Sequence, residues 1–74
     1  MFIEVKTTVY ISESDFMEMV DLCKDEKIQL TPEKAFWAVA DKWDDADYYL
    51  AGYAEEEAVE VIKKLLTGET VEFD

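Results

Sequence analysis

A chain of 74 residues with a net charge of −12, half of them hydrophobic, is one small domain: too apolar for a disordered acidic tail, and too short to enclose much of a substrate cleft. All seven basic residues are Lys, and Arg and His are absent. That removes the side chains that most often grip phosphate, read base edges and move protons near neutral pH, so direct nucleic-acid binding, catalysis and a cofactor are not expected.

The chain opens on an alternating segment, residues 2–11. Ile3, Val5, Thr7, Val9 and Ile11 share one face, and Phe2, Glu4, Lys6, Thr8 and Tyr10 share the other. This period of two in β-branched residues predicts a strand with one buried side. Residues 1–4 lack the basic and apolar regions of a signal peptide, and no apolar run reaches the length of a membrane span, which predicts a cytoplasmic protein. Ser12 then starts a helix. Its spacing to Asp15 is that of a capping box with Asp in place of Glu, and Ile11 and Phe16 have the spacing of a hydrophobic staple. Phe16, Met19, Val20 and Cys23 form one buried stripe running to about residue 27, with Lys24 and Lys27 in the last turn. A lone Cys forms no intramolecular disulfide and suits a reducing compartment; on this stripe it reads as a structural thiol.

After a connector of Ile28, Gln29 and Leu30, Thr31 and Pro32 have the chemistry of an N-cap and first helical position. Phe36, Val39, Ala40 and Trp43 make the second stripe, and Trp37, about 100° round from Phe36, lies at its edge. Continuing that stripe would bury Asp47, so a break is expected near Asp44 and Asp45, with Asp45 capping a short helix over 46–51 and Gly52 as its C′ residue. Glu55, Glu56 and Glu57 would open the next helix, whose stripe is Ala58, Val61, Ile62 and Leu65; Lys63 and Lys64 close it and Gly68 ends it. The tail alternates Val71 and Phe73 with Thr70 and Glu72 and reads as a strand. The expectation is a single domain over 1–74 of α+β class in the order β-α-α-(short α)-α-β. Its N- and C-terminal strands would pair and be packed by the helices.

Charge is concentrated in one stretch. Residues 1–40 sum to −4, residues 41–60 to −7 and residues 61–74 to −1. Asp41, Asp44, Asp45, Asp47, Glu55, Glu56, Glu57 and Glu60 lie in the middle block together with Tyr48, Tyr49 and Tyr53. These eleven residues are the candidate partner-binding set: carboxylates to meet a basic surface, and aromatic rings to supply desolvated anchors. As a calcium loop starting at Asp45, the block would place Asp47 at position 3 and Glu56 at position 12. It would also put Tyr49 at position 5 and Leu50 at position 6, where a sharp turn needs Gly, so no metal site is assigned.

Two resemblances follow. The segment TTVYIS, a helix, a connector and LTPEKAFWAVADKW over roughly residues 5–43 resemble in spacing the ribbon-helix-helix repressors. That likeness implies a dimer whose paired strands would present Lys6, Thr8 and Tyr10. One Lys in that strand and a negative domain do not suit DNA phosphates, so it stands as the alternative, a dimeric regulatory protein. In composition the chain is similar to the small acidic inhibitors that phages and plasmids use against restriction or CRISPR nucleases. That resemblance implies a non-catalytic DNA mimic that occupies the basic nucleic-acid-binding site of a protein.

Overall fold

The computed structural model of the chain describes residues 2–5 and 9–72, with side chains described from residue 10 onward. Two short strands, β1 (Phe2–Val5) and β2 (Val9–Ser12), precede three helices, α1 (Glu13–Lys24), α2 (Pro32–Ala40) and α3 (Asp45–Leu66). The two strands pair antiparallel with each other, Ile3 opposite Ile11 and Val5 opposite Val9. Folding back in this register sets odd positions against odd positions. The alternation that reads as one long strand is therefore equally compatible with a ribbon turned on itself. Ile11 is fully buried and Tyr10 exposed, so β2 keeps the predicted sidedness.

Local chemistry explains the first two helices. The Ser12 side chain accepts from the Asp15 amide at 3.0 Å, and Thr31 accepts from the Lys34 amide at 3.2 Å with Pro32 in the first turn. α1 stops at Lys24 because Asp25 turns the chain. Its carboxylate accepts from the Lys27 and Ile28 amides at 2.8 and 3.2 Å, and Gln29 follows with a positive φ of 47°. Lys27 thus lies past the helix rather than in its last turn. Phe16, Met19 and Val20 from α1, Phe36 and Val39 from α2, and Ile62 from α3 form the core with Ile11. At about 1.5–3 kcal/mol for each large side chain withdrawn from water, this cluster is the main stabilising term.

The α+β expectation is overturned. Helices account for most of the described residues, and the strands form only a two-stranded ribbon at one end. The predicted pairing of N- and C-terminal strands is replaced by β1 with β2, and residues 69–72 form no strand; Phe73 lies outside the described residues. The short third helix is also overturned, because α3 runs unbroken from Asp45 to Leu66 through Gly52. A Gly inside a helix costs about 1 kcal/mol relative to Ala. That is less than the packing recovered when Ala51 and Ala54, on either side of Gly52, are both fully buried. Glu55, Glu56 and Glu57 consequently occupy the middle of a helix rather than its first turn.

The expected break before α3 does occur, one residue earlier than the predicted cap. Asp44 is the N-cap, and its Oδ1 accepts from the Asp47 amide at 2.9 Å. The new start resets the helical phase, so Asp47 is exposed instead of falling on the buried face. Asp44→Ala is expected to lower stability by about 1 kcal/mol in urea titrations, against about 0.3 kcal/mol for Asp45→Ala, which loses only a charge near the helix dipole. Equal effects would show that Asp44 does not cap. At the far end Gly68, φ +82°, lets the Glu69 amide reach the Lys64 carbonyl at 3.0 Å and its own amide reach Leu65 at 3.3 Å. This is a Schellman stop, as the sequence predicts.

Candidate functional site

The acidic stretch acquires its geometry from the two tryptophans. Phe36 is fully buried, with Trp37 and Trp43 edge-on to it at ring-centroid distances of 5.2 and 5.8 Å. The Trp43 indole N–H donates to Asp15 Oδ2 at 3.2 Å, and Lys42 pairs with Glu18, so the end of α2 is tied to the start of α1. The Trp37 indole N–H donates to Glu55, and its ring meets Tyr48 edge-on at 5.9 Å, so α3 folds back along α2.

These ties gather the first turns of α1 and α3 at one end of the molecule. Glu13, Asp15 and Glu18 lie there with Asp41, Asp44, Asp45 and Asp47, and Lys42 is the one Lys among them. The lysines Lys24, Lys27, Lys34, Lys63 and Lys64 belong to the opposite ends of these helices. The tertiary structure thereby builds an acidic pole out of two separate segments. The α1 contribution is absent from the sequence expectation because nothing local in Glu13, Asp15 and Glu18 distinguishes them from the ordinary acidity of a helix start and its exposed side. The only advance signal is that two helices joined by a short connector run antiparallel.

The eleven candidate residues divide by what they do for the fold. Asp44 caps α3, Glu55 receives the Trp37 indole, and Tyr48, though 46% exposed, packs on that same indole. Asp41, Asp45, Asp47, Glu56 and Glu57 are exposed and engage no other described residue through their carboxylates. Glu60 reaches Lys63 only at 4.0 Å across the surface, an exposed pair worth little. Tyr49 and Tyr53 are 74% and 61% exposed. The structure thus keeps Asp41, Asp45, Asp47, Tyr49, Tyr53, Glu56, Glu57 and Glu60 available and draws the other three into packing.

Among the described residues no three of Cys, Asp and Glu converge as a metal site, and the segment considered as a calcium loop is helical. Cys23 is half-buried, and burial first, then the Glu33 carboxylate, raise its thiol pKa above the usual value, away from a reactive thiolate. No described helix is long and apolar enough to cross a membrane. Comparison of the chain with protein-family models, curated proteins and solved structures finds no match.

Proposed function

We propose that this chain is a non-catalytic acidic binding protein of the cytoplasm that occupies the basic, nucleic-acid-binding site of a partner protein. It would act in the manner of the anti-CRISPR and anti-restriction inhibitors it resembles in composition. The observation that carries the reading is the set of exposed carboxylates that hold no other part of the described fold in place through a hydrogen bond or close ion pair, placed beside two exposed tyrosines. Carboxylates spread from the acidic pole along α3 can stand in for a row of phosphates, and a basic groove supplies the complementary field.

The ribbon-helix-helix alternative requires a strand that pairs with a second copy. Here the corresponding segment supplies β2, which pairs with β1 of the same chain; Lys6 and Thr8 lie outside the described residues.

The test neutralises Asp41, Asp45, Asp47, Glu56, Glu57 and Glu60 to Asn or Gln while sparing Asp44 and Glu55, whose loss would disturb the fold. The parent chain, immobilised, is expected to retain a basic protein from a cell lysate at low salt, release it at high salt, and compete with DNA for it. The sixfold variant should melt like the parent and retain nothing. Undiminished retention by that variant, or a retained protein whose DNA binding is unaffected, would remove the proposal.

A further inference from the structure

The outer side of α3 carries a pattern that the fold itself does not use. At 3.6 residues per turn, Asp45, Tyr49, Gly52, Tyr53, Glu56 and Glu60 fall on one side of the helix, opposite the buried Ala51, Ala54, Ala58 and Ile62. All six are exposed. Gly52 is the telling member. It forms no turn, has no positive φ, and a Cβ built on it would meet nothing within 4 Å. A helix-interior Gly with neither conformational nor packing cause destabilises α3 without return inside the molecule. What it does provide is open surface beside two exposed rings.

We infer that this face of α3 binds arginine side chains presented by a basic protein partner, in preference to lysines. The inference rests on the acidic-binding reading above and specifies the chemistry of the partner. A guanidinium is planar and weakly hydrated, so it can lie against the face of Tyr49 or Tyr53 while its N–H fork reaches Asp45, Glu56 or Glu60. The notch at Gly52 lets the partner's stem or backbone come down beside the rings. A lysine ammonium keeps its hydration, gains the charge attraction and makes no comparable stacking contact. The charge of the face decides the sign of the occupant, and the tyrosines with the notch decide its shape.

Nona-arginine and nona-lysine peptides are suitable probes, titrated into the full chain at low salt by calorimetry, with the tyrosine ring resonances followed by NMR. Nona-arginine should bind about fivefold tighter or more, the scale of two exposed cation–π contacts, and should shift the Tyr49 and Tyr53 rings. The double variant Tyr49→Leu, Tyr53→Leu should bring the two affinities together while leaving nona-lysine binding unchanged. Gly52→Gln should weaken nona-arginine binding while raising the melting temperature, so that a loss of fold is not the cause. Equal affinities in the parent chain would overturn the arginine assignment and leave the acidic-binding reading standing. A preference that survives both variants would overturn its placement on this face. Absence of binding by either peptide at low salt would overturn both.

Discussion

Replacing Phe36 with Ala is expected to remove most of the domain's stability and leave it marginally folded at room temperature. Phe36 is fully buried, sits edge-on to both tryptophans, and belongs to the cluster that joins α1, α2 and α3. Removing a buried ring of this kind costs about 3–5 kcal/mol, the lost transfer free energy plus the cavity left behind. A domain this small has about 5 kcal/mol in hand. The ring also sets the positions of Trp37 and Trp43, whose indoles hold Glu55 and Asp15. The loss should therefore be cooperative, seen in far-ultraviolet circular dichroism and tryptophan fluorescence together. A variant melting within about 5 °C of the parent, a shift of only about 1 kcal/mol, would mean that Phe36 is not the centre of the packing.

The opposite perturbation tests α3. Ala54→Leu is expected to destabilise by about 1–3 kcal/mol, because a fully buried Ala in a close-packed interface leaves no room for three more carbons. Leu and Ala have similar helix propensities, so the effect would report packing rather than local preference. Ala46→Leu, at an exposed position in the first turn of the same helix, should change stability by no more than about 0.5 kcal/mol. If α3 were two helices joined at Gly52, residue 54 would lie in the junction and accept Leu. Equal tolerance at 46 and 54, measured by urea denaturation, would argue for that arrangement.

That contrast explains why α3 is the element least legible in advance. Its buried side is largely alanine, at 51, 54 and 58, and small residues give little periodic signal beside Trp43, Tyr48 and Tyr49. Gly52 and the three consecutive glutamates look like punctuation, and locally they are. They are overridden because α3 packs its alanine side along α2 and α1 and recovers more from that contact than Gly52 loses. The ribbon at the N-terminus has a different cause. Period-two alternation records which side of a strand is buried but not whether the strand folds back in a register that preserves parity.

The candidate site divides along the same line. Composition alone places negative charge and aromatic rings together in residues 41–60. Which carboxylates serve the fold could not be read there, because that depends on partners distant in sequence: Trp37 for Glu55 and, for the pole as a whole, the first turn of α1.

Two of the helix caps, the final stop and much of the core were determined by the sequence itself. Ser12, Thr31 and Gly68 act through hydrogen bonds or dihedral angles within a few residues, and Phe16, Met19, Phe36, Val39 and Ile62 declare their burial by spacing. Only the tertiary structure decided that β1 pairs with β2, that α3 is continuous, and that the acidic ends of two helices meet. Each of these is a choice between locally equivalent conformations, and such choices are made by whichever long-range packing buries more surface.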